Sequence, residues 1–116
     1  MSERDSTDKK LTEIFNAIGL APNLYGTLYL REAVKLEVEK SLKIKTSMKE
    51  LYPKIAESCL TTPDKVERAI RHAISSAWNR GKIENFNLIF GKNVYNKNVK
   101  PTNSELIGLL VNKIVY

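Results

Sequence analysis

The stretch Thr61–Gly81 restricts the possible fold most, because it carries the start, the buried face and the end of one helix. Thr62 can cap the amino end, and Pro63 suits the first helical position, where a missing N–H costs little. Gly81 is a typical left-handed C-terminal stop. Small and apolar residues recur between these signals with the 3.6-residue period of an amphipathic helix. They are Val66, Ala69, Ile70, Ala73, Ile74, Ala77 and Trp78.

The opposite face of this predicted helix is basic. Arg68 lies near the middle of that face at 100° per residue. The other basic residues, all within about 60° of it, are Lys65, Arg71 and His72. A solvated helix surface is the ordinary explanation of such a pattern. Glu67 can neutralise only part of the charge, however, so the face could also bind a polyanion.

Only Cys59–Thr62 separates this helix from the one before it. Ser47 followed by Glu50 is a capping-box pattern, so the preceding helix is predicted over Met48–Ser58. Two helices joined by a three- or four-residue turn, the second amphipathic and basic, are typical of a helix-turn-helix. The turn here lacks the glycine that often occurs in this motif.

The amino-terminal part of the chain predicts a leader and two further helices. Met1–Asp8 is polar without apolar periodicity, so we expect a disordered leader and a folded domain over residues 9–116. The spacing of apolar residues predicts a helix that ends at Gly19 and a second over about Thr27–Leu42.

The carboxyl-terminal part is more irregular. Ile83–Phe90 is compatible with a short helix or an irregular turn, and Lys92–Lys100 is predicted to be a polar loop. Thr102 and Glu105 form a second capping box, which starts a last helix through about Val115. The chain therefore predicts an all-α fold of five or six helices without a strand pair.

Composition narrows the class of protein. A chain of 116 residues with a net charge of +6 is expected to form one basic domain. This charge suggests nucleic acid ahead of an anionic membrane surface, although a basic protein without such a partner is the alternative. Cys59 is the only cysteine, which excludes a disulfide framework and fits a reducing cytoplasm. The longest apolar run, Leu106–Val111, is far too short to span a bilayer, so no membrane association is expected.

The sequence does not support catalysis. His72 is the only histidine, and no cysteine or carboxylate accompanies it at a metal-binding spacing. None of the common nucleophile or phosphate-loop motifs occurs. We therefore expect a protein that is not an enzyme and that has neither a metal site nor a cofactor.

Several segments together resemble one known family. Val66–Ala73 (VERAIRHA), followed by Ala77-Trp78 and Arg80-Gly81, is similar to the recognition helix of the effector domain of the stage-zero sporulation protein A family. The resemblance extends over about Leu11 to Lys113. It includes Leu28–Ala33 (LYLREA), Leu51-Tyr52-Pro53, Ile55-Ala56, Phe90-Gly91 and Lys100–Glu105 (KPTNSE), in the same order.

The resemblance implies a six-helix, all-α effector domain that binds a TGTCGAA-like box of double-stranded DNA in the major groove and regulates transcription. Base contacts carried over by position fall on Lys65, Glu67 and Arg68, and phosphate contacts fall on Arg71 and His72. Lys65 departs from the family, which usually has arginine there. Lysine lacks the bidentate fork, so base specificity at this step is expected to be weaker or altered.

The family also implies protein partners. A segment corresponding to Lys82–Val94 contacts a sigma factor of RNA polymerase, and pairs of domains can bind tandem boxes as dimers. The residues assigned to the sigma contact are Lys82, Glu84, Asn85, Phe90 and Val94. Family members normally carry an amino-terminal receiver domain, so the resemblance leads us to expect either an excised effector domain or a short homologue. The alternative function is a protein-interaction module that acts on a sigma factor or on a full-length homologue, with weak DNA affinity.

Overall fold

A computed structural model of the protein describes residues 3–39, 47–80, 83–91 and 99–116. These residues form six α-helices and no strand. The helices are α1 (Glu3–Ile18), α2 (Tyr25–Glu39), α3 (Met48–Ser58), α4 (Pro63–Asn79), α5 (Ile83–Phe90) and α6 (Asn103–Val115). The all-α fold predicted from the sequence is confirmed.

The central element is α4, which packs against α2, α3 and α6. Its predicted inner residues Val66, Ile70 and Ala73 are completely buried. The closest approach occurs at Gly26 of α2, where a Cβ atom would lie 2.6 Å from the carbonyl carbon of Ala69 and 2.7 Å from the Cβ atom of Ala73. The missing side chain of Gly26 therefore allows α2 to lie directly against the backbone of α4.

The helix ends follow local signals in most places. The bounds of α3 are those predicted, and α1 ends before Gly19, which has the left-handed φ of 86° expected of a C-terminal stop. The segment Ile83–Phe90 is a helix, so the irregular-turn alternative is excluded. The predicted stop at Gly81 and most of the loop predicted over Lys92–Lys100 lie outside the described residues.

The two predicted capping boxes have different outcomes. At α6 the box is complete, because the Thr102 hydroxyl accepts from the backbone N–H of Glu105 and the Glu105 carboxylate accepts from the N–H of Thr102. At α3 the Ser47 side chain makes no capping hydrogen bond, although the helix begins where predicted. The apolar face of α3 packs against α4, and the backbone N–H groups of Glu50 and Leu51 donate to the carbonyl oxygen of Ser47 at the start of the helix.

The amino-terminal segment is helical rather than disordered. The sequence predicts a leader over Met1–Asp8, but α1 begins at Glu3, and Thr7 is buried. The Asp8 carboxylate pairs with Arg31 at 3.1 Å and with Lys35 at 2.6 Å, both on α2. The prediction of a disordered leader is therefore wrong for Glu3–Asp8, and at Asp8 polar contacts to α2 rather than an apolar stripe hold α1.

Candidate nucleic-acid interface

The start of α4 is built as the sequence predicts. Thr62 has extended backbone angles, and its hydroxyl accepts a hydrogen bond from the N–H of Lys65 at 3.3 Å. Pro63 is the first helical residue, and Asp64 places negative charge in the first turn, where the helix dipole favours it. The amino end of α4 is therefore fixed by its own residues as well as by the core.

In the turn between α3 and α4, a leucine occupies the left-handed backbone position that is usually taken by glycine. Leu60 adopts a left-handed φ of 56°, and the N–H of Thr61 donates to the carbonyl oxygen of Ala56 at 2.9 Å. These are features of the Schellman motif, in which glycine usually takes the left-handed position. The side chain of Leu60 is 94% exposed, so it adds no packing that offsets the strain. The predicted short turn is formed nevertheless, and α3 packs against α4.

The basic face of α4 is exposed along its length. Its four predicted basic residues, Lys65, Arg68, Arg71 and His72, all lie on the surface. The side chains of Lys65 and His72 have no hydrogen-bond or ion-pair partner within the part of the chain that the structure describes. Arg68 Nε donates to the Asp64 carbonyl oxygen at 3.4 Å, a long and weak bond. These side chains are free to be redirected toward a ligand.

Glu67 lies at the flank of this face rather than at its centre. Its carboxylate pairs with Arg71 one turn later at 3.4 Å, and the two side chains are 35% and 61% exposed. An exposed pair of this spacing stabilises a helix by only about 0.3–0.5 kcal/mol, so a ligand can replace it at small cost. The structure thus pairs Glu67, which the resemblance assigns to a base contact, with Arg71, which it assigns to a phosphate contact.

A groove of about 400 Å³ runs along this flank of α4, between it and the start of α6. Tyr52, Glu67, Arg71, Lys100 and Asn103 are among its lining residues. The amide of Asn103 donates to the Tyr52 hydroxyl at 3.0 Å and to the Glu67 carbonyl oxygen at 3.1 Å, which ties α3, α4 and α6 together. Burial raises the pKa of Tyr52 and the Glu67 charge raises it further, against the lowering effects of Asn103 and Arg71.

The sequence did not identify this groove. The capping box at Thr102 placed the start of α6 correctly, but no local pattern indicates which neighbouring helix that start will contact. The signal that could have drawn attention to it is Lys100, a cation directly before the buried Pro101.

The five residues assigned to a sigma-factor contact have different environments in the structure. Glu84 is exposed on α5. Asn85 donates from its side-chain amide to the carbonyl oxygen of Ala17 at 2.9 Å, and the Phe90 ring lies 4.6 Å from that of Phe86, centroid to centroid. Asn85 and Phe90 thus take part in the fold itself. Lys82 and Val94 lie outside the described residues.

Metal binding, thiol chemistry and membrane insertion have little support among the described residues. Among the described residues, no group of three histidine, cysteine or acidic side chains could hold a metal ion. Burial, with a smaller contribution from the Glu32 charge, raises the pKa of the Cys59 thiol and disfavours the reactive thiolate. None of the helices that the structure describes is long and apolar enough to cross a bilayer.

An exposed basic helix that is fixed by the core and follows its partner helix after a short turn is typical of a DNA-binding domain. Comparison with protein families agrees with this class. The chain belongs to the family described as sporulation initiation factor Spo0A C terminal, whose model matches residues 11–114. It is therefore a DNA-binding regulatory domain of the sporulation-initiation type.

Proposed function

We propose that the protein is a sequence-specific transcription regulator that places α4 in the major groove of a TGTCGAA-like box. The observation that carries the proposal is the exposed basic face of α4 on a helix whose opposite face packs into the core. A reader of base edges must hold its backbone still while its side chains remain available, and α4 meets both conditions. As a regulator of chromosomal promoters, it would act in the cytoplasm.

The first two turns of α4 would read the bases. Arg68 can donate two hydrogen bonds to O6 and N7 of guanine, and Glu67 can accept one from the amino group of cytosine. Lys65 would donate to a guanine as a single point charge. For Glu67 to reach a base, its ion pair with Arg71 must open, which releases Arg71 for a phosphate. His72, exposed beside Arg71, would donate a ring N–H to the same strand.

Titration of a labelled duplex by fluorescence anisotropy tests this assignment. The protein should bind the box more tightly than a scrambled duplex of the same length, and Arg68→Ala should reduce that preference by about 1–3 kcal/mol. Arg68→Lys keeps the charge but removes the bidentate fork, so it should lose preference with a smaller loss of total affinity. Equal binding of box and scrambled duplexes by the unaltered protein would contradict sequence-specific reading.

Substitutions of Arg71 and Lys65 distinguish phosphate contacts from base contacts. Arg71→Ala should weaken binding to every duplex by a similar factor and lower the slope of log affinity against log salt by about one. Lys65→Arg restores a bidentate donor, so it should increase the preference for a guanine at the contacted step. If Arg71→Ala instead changed base preference and left the salt slope intact, the division into base and phosphate contacts would be wrong.

Tandem boxes address the proposed dimer. If two domains contact one another on DNA, a duplex with two boxes should bind the second molecule more tightly than the first. The same comparison with the spacing between boxes changed by half a helical turn is the control, because it places the two domains on opposite faces of the duplex. Independent binding at every spacing would exclude cooperative pairing.

A second candidate function is docking on a sigma factor through α5. The observation that favours it is Leu88, which is 82% exposed on the same short helix as the exposed Glu84. Leu88→Ser should then abolish capture of a purified sigma factor while leaving affinity for the box unchanged. Exposed Leu28 on α2 offers a matched control, since Leu28→Ser should affect neither. Capture that survives Leu88→Ser would exclude α5 as the docking surface.

A further inference from the structure

Lys100 lies against the exposed face of α4 although it belongs to the segment before α6. Its Nζ atom donates to the hydroxyl oxygen of Ser75 at 2.6 Å. Ser75 follows Arg68 by seven residues, which places it on the same face about two turns further along the helix. A second element of the fold therefore contributes a cation to the face that carries Arg68.

The backbone around Lys100 is fixed relative to α4. Pro101 is buried, and Thr102 closes the reciprocal capping box with Glu105. Asn103 then donates both to the Tyr52 hydroxyl and to the carbonyl oxygen of Glu67. Three successive residues thus hold the position from which the exposed Lys100 side chain extends. A lysine on such a support loses less freedom on binding than one on a mobile loop.

The charge of the groove favours an anion beside Lys100. Arg71 and Lys100 both line the groove, and Glu67 is its one carboxylate among the described residues. That carboxylate already faces Arg71 at 3.4 Å, whereas the contact that Lys100 makes is to a neutral hydroxyl. The hydroxyl groups of Tyr52, Thr102 and Ser104 add further polar groups to the lining. Within the described residues, Lys100 thus has no neutralising partner, and it lies in a groove that runs beside α4.

We propose that Lys100 binds the sugar-phosphate backbone of DNA at a phosphate next to the one that Arg71 binds. Ser75 would hold the ammonium group at the edge of α4 in the free protein and share it with the phosphate in the complex. The groove would thus extend the DNA footprint from α4 to the start of α6. The inference rests on the proposed placement of α4 in the major groove, and it adds a contact that is independent of sequence.

The salt dependence of binding tests this inference with the full chain. Lys100→Ala should lower the slope of log affinity against log salt by about 0.9, so the loss of affinity between 50 and 200 mM salt should be smaller by about 3.5-fold. The effect should be the same for box and scrambled duplexes. Lys113→Ala is the matched control, because it removes the same charge from the exposed last turn of α6, about 15 Å further along that helix.

Two further variants distinguish the contact from a general charge effect. Ser75→Ala should reduce affinity and leave the salt slope unchanged, since the ammonium group remains. The double variant Arg71→Ala with Lys100→Ala should lower the slope by about 1.8, because two separate phosphates lose their partners. Circular dichroism at the assay temperature verifies that each variant is folded.

Equal slopes for Lys100→Ala and Lys113→Ala would overturn the inference. It would also be overturned if the double variant had the slope of Arg71→Ala alone, since the two cations would then share one phosphate. Failure of the proposed base reading has a different signature: Arg68→Ala would keep the preference for the box, while Lys100→Ala would still lower the slope. The phosphate contact would stand in that case, and the assignment of Arg68 would not.

Discussion

The contact between Gly26 of α2 and the backbone of α4 provides a quantitative test of how α4 is held in place. In Gly26→Ala the new Cβ atom would collide with the carbonyl oxygen of Ala69 and would lie 2.6 Å from its carbonyl carbon, where ordinary contact begins near 3.4 Å. The two helices would therefore have to separate by at least the difference, about 0.8 Å. The obstacle is backbone, so no change of side-chain rotamer can relieve it.

The expected loss of stability follows from two opposing effects. Overpacking of a tight core contact costs about 1–3 kcal/mol, and a backbone obstacle places this case in the upper part of that range. Alanine is favoured over glycine inside a helix by at most about 1 kcal/mol, and less near the first turn, where Gly26 lies. We expect a net decrease of about 2 kcal/mol in the free energy of unfolding, against a total of about 5–15 kcal/mol for a typical domain.

Urea unfolding followed by far-ultraviolet circular dichroism measures this effect. With a slope of about 1–3 kcal/mol per molar urea, the midpoint should fall by about 1 M. The variant Ala73→Gly removes one of the two obstacles, so the double variant with Gly26→Ala should lose less stability than the sum of the two single losses. A midpoint that stays constant or rises in Gly26→Ala would refute the reasoning, because helix propensity would then outweigh the clash and α2 could not lie this close to α4.

Three other perturbations test local features. Leu60→Gly should increase the free energy of unfolding by about 1 kcal/mol, because glycine adopts the left-handed φ without strain and the exposed leucine contributes no packing. Thr62→Ala and Thr102→Ala should each cost about 1 kcal/mol in urea unfolding, because the backbone N–H groups of Lys65 and Glu105 lose their hydroxyl acceptors. The pKa of Asp8 is lowered, since hydrogen bonds and charge from Lys35 and Arg31 outweigh burial, which would raise it. Its pairing therefore stabilises the fold above the unfolded value of 3.8 and is lost as the pH falls through the lowered pKa, so Asp8→Asn should destabilise at pH 7 in thermal unfolding, and this effect should shrink as the pH falls below 3.8.

The sequence predicted the parts of the fold that depend on local signals and on one apolar period. The bounds of α3, the Thr62 cap and the buried face of α4 are of this kind, because each is determined within a few residues along the chain. The helical start of α1 was not predictable in this way. Its stabilising partners, Arg31 and Lys35, lie more than twenty residues away, and polar contacts over that distance leave no periodic pattern.

In the candidate site, too, some features could be predicted from local sequence and others could not. The basic residues of α4 and their common face follow from helical geometry alone, so the exposure of Arg68 and His72 could be predicted. The position of Lys100 beside Ser75, and the link from Asn103 to Tyr52, depend on how α6 returns to α4. That return is a property of the tertiary packing, and only the structure reveals it.

Helix α4 combines a rigid backbone with weakly held side chains. This combination determines which substitutions should change DNA specificity and which should change stability. The backbone of α4 is fixed by the contact at Gly26 and by the hydrogen bond from Asn103 to Glu67. Among the described residues, the outward charged side chains assigned to DNA are held by the 3.4 Å bond of Arg68 and the 3.4 Å pair between Glu67 and Arg71. Exchanging such exposed contacts for DNA costs about 1 kcal/mol or less, whereas moving the helix would disturb a buried core. Specificity should therefore respond to changes at the tips of the side chains, and changes beneath α4 should lower stability and affinity together.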